Sequence, residues 1–316
     1  MNRALKKIVV TGALGHIGSK LIRELPTMYP GAEIVMIDDF SVQRYCSLFN
    51  LPAEGRYRFV EGDVTKIDLR PLVEGADVVV HLAAITNAAG SFEIRDQIER
   101  NNYTATLKAA EACVAVGAPL FYASTTSVYG TQEKLVDEDC SESELQPQSP
   151  YAETKLKEER LLATMGAAQG LQFLICRFGT IFGTSPGMRF HTAVNKFCWQ
   201  AAMGQPITVW RTAYDQKRPY LDLCDAARAI AFVIQEDLFD GRVYNVLTAN
   251  VTVRQIVDLI REFVPDLEVQ FVDSRIMNQL SYEVSCDRFV GNLRRGIAET
   301  IGLLRQANSL SLATRP

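Results

Sequence analysis

Histidine is scarce in this 316-residue chain, with three in all: His16, His81 and His191. That leaves little room for a zinc site built on imidazoles or for a histidine-driven triad, and no metal is expected. The seven cysteines are scattered and odd in number, without a Cys-x-x-Cys. Neither a disulfide framework nor a zinc ribbon fits that pattern, so a reducing cytoplasm is the expected setting. No sign of charge dominates: 33 Lys+Arg against 37 Asp+Glu give a net charge of −4. Without a long basic run, nucleic acid and anionic membrane are not expected as partners. No apolar run reaches the ~20 residues of a membrane span. The basic start is followed by only Ile8-Val9-Val10, too short for the apolar core of a signal peptide.

What is present is alternation. Short apolar runs at 7–11, 33–37, 57–60, 76–82, 119–123 and 171–176 read as strands. Helical periodicity lies between several of them: a first helix ended by Pro26, a second over 94–116 closed by Gly117, a third over 151–168 closed by Gly170. Strands apolar throughout, separated by helices, predict a parallel sheet covered on both faces, a doubly wound α/β fold of the Rossmann type. After Arg177 the pattern loosens. Residues 179–187 read as loop, 195–203, 223–235 and 253–263 as helices, and 207–210, 243–246 and 267–272 as strands. The expectation is a nucleotide-binding domain over 1–177 and a smaller substrate domain over 178–316, with segments near 220–250 returning to the first.

Two features between strands and helices carry chemistry. Thr11-Gly12-Ala-Leu-Gly15-His16-Ile17-Gly18 joins the first strand to the first helix. Amides at such a helix start hold a pyrophosphate, and glycines permit the tight turn. The spacing is G-x-x-G-x-x-G, and glycines alone recur at many such turns. Asp38 follows the second strand about 20 residues on, where a carboxylate accepts from a ribose diol and repels a 2′-phosphate, favouring NAD over NADP. Taken alone, Asp38 and Asp39 are more commonly just a polar strand end. Asp63, in Gly-Asp-Val after the third strand, falls where an adenine amine would be met, or is a turn aspartate. His81, within an apolar strand, reads as a core histidine.

Tyr151-Ala-Glu-Thr-Lys155 starts a helix after Pro150, and its i,i+4 spacing puts phenol and ammonium on one face. A phenol titrates near 10, so a tyrosine base near pH 7 needs about 4 kcal/mol of preferential phenolate stabilisation, which a neighbouring cation supplies. Ser124-Thr-Thr-Ser-Val-Tyr-Gly130 follows the fifth strand. Hydroxyls at a strand's carboxyl end, where open α/β sheets bind ligands, polarise a sugar hydroxyl or ketone. A solvated helix face and a Ser/Thr-rich turn explain either feature alone.

Taken in order, these residues resemble the extended short-chain dehydrogenase/reductase family, in particular its NAD-dependent nucleotide-sugar epimerases and dehydratases of the UDP-glucose 4-epimerase type. Further anchors are His81-Leu82-Ala83-Ala84, Asn102, Ser149-Pro-Tyr151-x-x-x-Lys155, Arg177-Phe178 and Lys217-Arg218-Pro-Tyr-Leu-Asp-Leu-x-Asp225, so the resemblance covers nearly the whole chain. It implies that Gly12, Gly15, His16, Ile17 and Gly18 hold the NAD pyrophosphate. Asp38 and Asp39 would meet the adenosine ribose, and Asp63 and Val64 the adenine. Leu82, Ala83, Ala84 and Asn102 would line the rest of the cofactor, with Tyr151 and Lys155 at its nicotinamide end. Thr125, Tyr151 and Lys155 would be catalytic: Tyr151 takes a proton from a sugar hydroxyl while C4 passes a hydride to bound NAD, which returns it to the other face.

The resemblance also narrows by absence. The dehydratases carry Asp-Glu after the catalytic threonine, the decarboxylases a glutamate and the fucose-synthase type a cysteine at position 127; this chain has Thr126-Ser127. Hydroxyls cannot replace a carboxylate or thiolate in those proton transfers. What remains is 4-epimerisation of a nucleoside-diphosphate sugar, or a one-way ketoreductase or dehydrogenase. A non-catalytic NAD-binding protein is a third reading. Thr86, Thr126, Ser127, Thr180, Asn195, Arg218 and Arg275 are the residues expected toward substrate. Thr180 and His16 depart from the family's usual asparagine and aromatic. Relatives pair through the helices at 94–116 and 151–168, so a homodimer is expected.

Overall fold

The computed structural model describes residues 4–86, 90–132, 135–273, 281–285 and 293–313, with side chains to Gln306 in the last helix. In chain order the elements are β1 (Lys7–Thr11), α1 (His16–Met28), β2 (Glu33–Asp38), β3 (Arg56–Glu61), α2 (Arg70–Val73), β4 (Val78–His81), α3 (Arg95–Val116), β5 (Leu120–Thr125), α4 (Pro150–Gln169) and β6 (Phe173–Phe178). There follow β7 (Thr180–Phe182), α5 (Ala193–Ala202), β8 (Ile207–Trp210), β9 (Lys217–Asp222), α6 (Leu223–Gln235), β10 (Val243–Val246), β11 (Ala249–Thr252), α7 (Val253–Phe263), β12 (Val269–Val272) and α8 (Leu293–Ala313).

Seven parallel strands form one sheet in the order β10-β6-β5-β4-β1-β2-β3. This is the doubly wound fold the alternation predicts. Successive side chains of β1 feed opposite cores: Ile8 and Val10 pack with Leu21, Ile22 and Ile230 of α1 and α6, while Val9 packs with Ala105, Ala109 and Leu162 of α3 and α4. Strand order reverses between β1 and β4, so their carboxyl ends open a crevice where such sheets bind ligands.

Two expectations need correction. Helix α1 does not stop at Pro26 but runs to Met28. Proline lacks the N–H that would bond Ile22 O four residues back; the Tyr57 hydroxyl donates to that carbonyl instead (3.1 Å), which lets the helix pass. Residues 179–187 are not all loop either: Thr180–Phe182 forms β7, held by a β9 that no local pattern announces, in a three-stranded sheet β11-β9-β7. A second small sheet, β12-β8, and helices α5, α7 and α8 share a separate core built on Phe197, Ile207, Ile256, Ile260, Ile297 and Ile301. Helix α8 lies beyond the last element the periodicity predicts. The strand β10 joins the large sheet beside β6 and α6 packs on α1, so the segment near 220–250 serves both parts.

Candidate active site

The glycine turn is shaped by two close approaches. Gly12 has φ +65°, and a Cβ there would lie 2.7 Å from Ala83 N and Leu82 C. A Cβ on Gly18 would lie 2.4 Å from Gly12 O. The turn is thereby pressed against the end of β4 and the start of α1. Gly15 caps α1 and offers no side chain, so amides of the first turn are left for a ligand. Asp38 reaches across from β2: its Oδ2 accepts from Leu14 N (3.1 Å) and its Oδ1 from Phe40 N (3.1 Å). Burial pushes its carboxyl up, with the Leu14 and Phe40 amides opposing. A carboxylate has about four lone-pair sites, so acceptor capacity for a ribose remains. Beyond it an open cleft of about 550 Å³ is lined by Asp39, Glu61, Gly62, Asp63 and Lys66. Asp63 is a turn aspartate as well: its Oδ1 accepts from Thr65 N (2.8 Å) and Oγ1 (2.7 Å), and Lys66 lies 2.9 Å from Oδ2. Burial works against its charge, but those bonds outweigh it and hold the carboxyl low. Val64 is buried beside it.

The second wall stands on β5 and α4. Ser149 caps α4 by accepting from Ala152 N (3.2 Å), and Pro150 occupies the first turn, which fixes where Tyr151 emerges. Thr125 ends β5 and accepts from Ser127 N (3.2 Å), leaving its proton free to be donated. Lys155 is buried. Its ammonium donates to Ala123 O (3.0 Å) and Tyr122 Oη (3.0 Å), and lies 3.5 Å from Glu158 Oε2.

Behind Lys155 runs a one-directional chain of buried hydrogen bonds. Thr11 Oγ1 accepts the Leu82 and Ala83 amides (3.3 Å each), so it donates to His81 Nδ1 (2.8 Å). His81 Nε2 then donates to Thr106 Oγ1 (3.3 Å), and Thr106 donates to Glu158 Oε1 (2.7 Å). From the other side Tyr122 donates to Glu158 Oε2 (2.5 Å). The order requires a neutral imidazole. Burial and the Lys155 cation supply that, pulling His81 down to about 3. Burial and the facing Glu158 push the Tyr122 phenol well up, which keeps it a donor. The core-histidine reading of His81 therefore describes its surroundings, but it misses that the residue joins the glycine turn to the support of Lys155.

Other expected residues are dispersed. Asn102 is buried, and its amide clamps Ile85 N (2.8 Å) and Ile85 O (3.0 Å), so it shapes the strand exit rather than facing the crevice. His16 turns away from the turn, with Nε2 against Gly183 O (2.8 Å). Asn195 accepts from Gly183 N (2.9 Å) and donates to Arg189 O (2.9 Å), so its amide holds the β7–α5 loop instead of reaching outward. Thr126 is buried, its hydroxyl 3.1 Å from Tyr282 Oη and 3.4 Å from Phe178 O. Arg218 on β9 faces Tyr282 electrostatically, and Ser127 bonds the same phenol, so these three gather at Tyr282, while Thr180 opens β7. Thr86 accepts from Arg189 (2.5 Å). Leu82, Ala83 and Ala84 are half-buried beside Gly12, and Ile17 packs against the core below. Arg275 lies outside the described residues. The reading along the chain misses Arg189, Tyr122 and Glu158. Glu158, three residues after Lys155 on one helix face, is the one that spacing signals.

The features fit a dinucleotide: open first-turn amides, a turn no side chain could occupy, and a carboxylate at the end of β2. The model of the family described as "NAD dependent epimerase/dehydratase family" matches residues 8–246. The chain is 33% identical over 266 residues to an uncharacterized UDP-glucose epimerase, YtcB, of Bacillus subtilis, covering 81% of each. It is 31% identical over 293 residues to a trifunctional UDP-glucose 4,6-dehydratase, 3,5-epimerase and 4-keto-L-rhamnose reductase of Arabidopsis thaliana. That match covers 88% of this chain and 43% of the relative, so the chain spans less than half of that protein's length. Among solved structures, MoeE5 in complex with UDP-glucuronic acid and NAD superposes with a TM-score of 0.81 at 27% identity, covering 95% of this chain and 99% of that one. A match across most of the sequence, on a fold whose crevice is built for a dinucleotide, leaves one lineage: the chain belongs to the NAD dependent epimerase/dehydratase family.

Proposed function

We propose that the chain is an NAD-dependent 4-epimerase of a nucleoside-diphosphate sugar, with a UDP-hexose as the first candidate substrate. The observation that carries it is a buried Lys155, its ammonium fixed by Tyr122 and Ala123 O and one helical turn after Tyr151 on α4, with Thr125 at the end of β5 followed by two hydroxyl residues and no carboxylate or thiol. Dehydration needs groups that protonate a leaving hydroxyl and take a carbon-bound proton, and hydroxyls are too weakly acidic for either role. The family relationship to UDP-glucose epimerases supports the choice of nucleotide.

Thr125 donates to the C4 hydroxyl and orients it. Tyr151 takes that hydroxyl's proton as general base, and Lys155 favours the phenolate by its charge. Bound NAD supplies a reversible two-electron acceptor for the sugar carbon. Arg218 faces the diphosphate from the cap, with Ser127 and Thr180 near the sugar. Residues 1–177 with the 220–250 segment form the cofactor part and the rest the substrate part. Two copies pairing through α3 and α4, in a cytoplasmic setting, complete the proposal; the free cysteines of the described residues accord with a reducing environment.

The test is incubation with a panel of nucleotide sugars. The expected result is isomer interconversion with no net change in NADH absorbance; stoichiometric consumption of NADH or NAD would instead make it a ketoreductase or dehydrogenase. Tyr151→Phe is expected to lower kcat by about 10²–10⁴-fold. Turnover that survives that change overturns the mechanism.

A further inference from the structure

The loop between β7 and α5 crosses the glycine turn and is fastened to it at several points. Gly183 O lies 2.8 Å from His16 Nε2, Ser185 Oγ donates to His16 O (2.9 Å), and Gly187 N donates to Ser19 Oγ (2.9 Å). Pro186 O takes the Cys46 thiol (3.3 Å). The seat of Gly187 is so close that a Cβ there would lie 2.4 Å from Leu14 O and 2.5 Å from Gly15 O. At the loop's far end stands Arg189. It donates to Thr86 just past β4, yet its Nε is sealed from solvent without a partner, and no carboxylate pairs with it among the described residues. Its electrostatic neighbours are His16 and Arg44 at the glycine turn and Tyr151 across the crevice. A second orphaned buried atom, His16 Nδ1, belongs to one of those neighbours. A half-buried guanidinium with its Nε sealed and no anion beside it among the described residues is left with its charge uncompensated, which is unfavourable until an anion arrives. It sits between the turn whose open amides attract phosphate and the catalytic tyrosine.

We propose that residues 183–189 form a strap that closes over the dinucleotide pyrophosphate, and that Arg189 is its counter-charge from the cap side. Cofactor departure then requires the strap to lift, so NAD stays with the protein from one turnover to the next. The inference rests on NAD binding at the glycine turn and not on the identity of the sugar.

The test uses the full chain purified with NAD and reads NAD retained after gel filtration, the NAD dissociation rate and the KM for a nucleotide sugar. Arg189→Gln is expected to weaken NAD retention at least about tenfold, as befits loss of a charge-assisted hydrogen bond, with Arg189→Lys restoring part of it. Ser19→Ala, which loosens the strap and leaves Arg189 in place, is expected to speed NAD release. Wild-type retention in both variants overturns the strap. So does a rise in nucleotide-sugar KM in Arg189→Gln at unchanged NAD retention, which would put the arginine on the substrate diphosphate. A wild-type protein that takes up no NAD overturns the cofactor site itself, an outcome distinct from the other two.

Discussion

Glu158 and Glu159 are consecutive on α4, both buried, and they serve two different regions. Glu159 belongs to a clamp: it accepts from Arg177 Nε (3.1 Å) and NH2 (2.7 Å) and from the Ser124 hydroxyl, and Arg177 NH1 donates to Tyr129 (3.0 Å). Tyr129 in turn donates to Asn245 (2.9 Å), so the clamp ties α4, β5, β6 and β10 together. Burial opposes the Arg177 charge, but the Glu159 and Tyr129 bonds outweigh it and raise its pKa. Glu158 belongs to a shelf in which every neighbour, Lys155, Tyr122 and His81 through Thr106, can gain or lose a proton. The guanidinium cannot discharge and the ammonium can. One residue of helix therefore separates a fixed ion pair from a titratable support for the proposed catalytic lysine.

Breaking the clamp should have the largest effect. Glu159→Gln strands the Arg177 charge, and a loss of about 3–5 kcal/mol is expected in urea denaturation, nearly independent of pH. A loss below about 1 kcal/mol would mean that Arg177 finds other compensation. Acid should act instead on the buried histidines, His81 of the shelf and His16 at the glycine turn. His81 and His16 are held at about 3 in the fold by burial, Lys155 adding to the effect on His81 and Arg189 to that on His16. In the unfolded chain they titrate near 6.5. Below that value the unfolded state takes up protons that the fold refuses, so stability is complete above about 6.5 and falls toward about 3. Each histidine should remove about 2 kcal/mol by pH 5. His81→Asn should flatten that slope; an unaltered slope would show that His81 is not neutral by necessity.

Glu158→Gln sharpens the contrast with a smaller stability loss, about 1–3 kcal/mol, because the remaining amide oxygen still accepts from one of Thr106 and Tyr122 and only the other hydroxyl loses its acceptor. Its signature is kinetic: without the carboxylate the Lys155 ammonium loses a neighbour 3.5 Å away that helps to fix it, so kcat should fall about tenfold with the KM for the sugar unchanged. Glu159→Gln should leave kcat in place. If both variants lower it equally, the two regions are one.

The parallel sheet was legible because its strands are apolar throughout and its helices end at Gly117 and Gly170, both left-handed caps. The glycine turn before α1, Asp38 at the end of β2 and the one-turn spacing of Tyr151 and Lys155 on α4 could be placed in the fold from sequence because each is local. The small sheet was not: β7 has three residues and exists only through β9, forty positions away in register from Thr180 to Tyr220. Asn102 and Asn195 have the right residue type in the right neighbourhood, yet their amides face backbone that only folding brings to them. Arg189 sits in a segment with no periodicity, and its significance depends on what fails to surround it.

The seat of Gly187 bears on redesign of the protein. Because position 187 rests on the carbonyls of Leu14 and Gly15, the cap and the cofactor turn are not separate modules. A cap grafted from a relative to change sugar preference would bring its own loop, and any residue larger than glycine at that seat would prise the turn open. Exchange of specificity in this scaffold therefore has a junction rule: loop and turn are transplanted together, or the graft keeps glycine at 187.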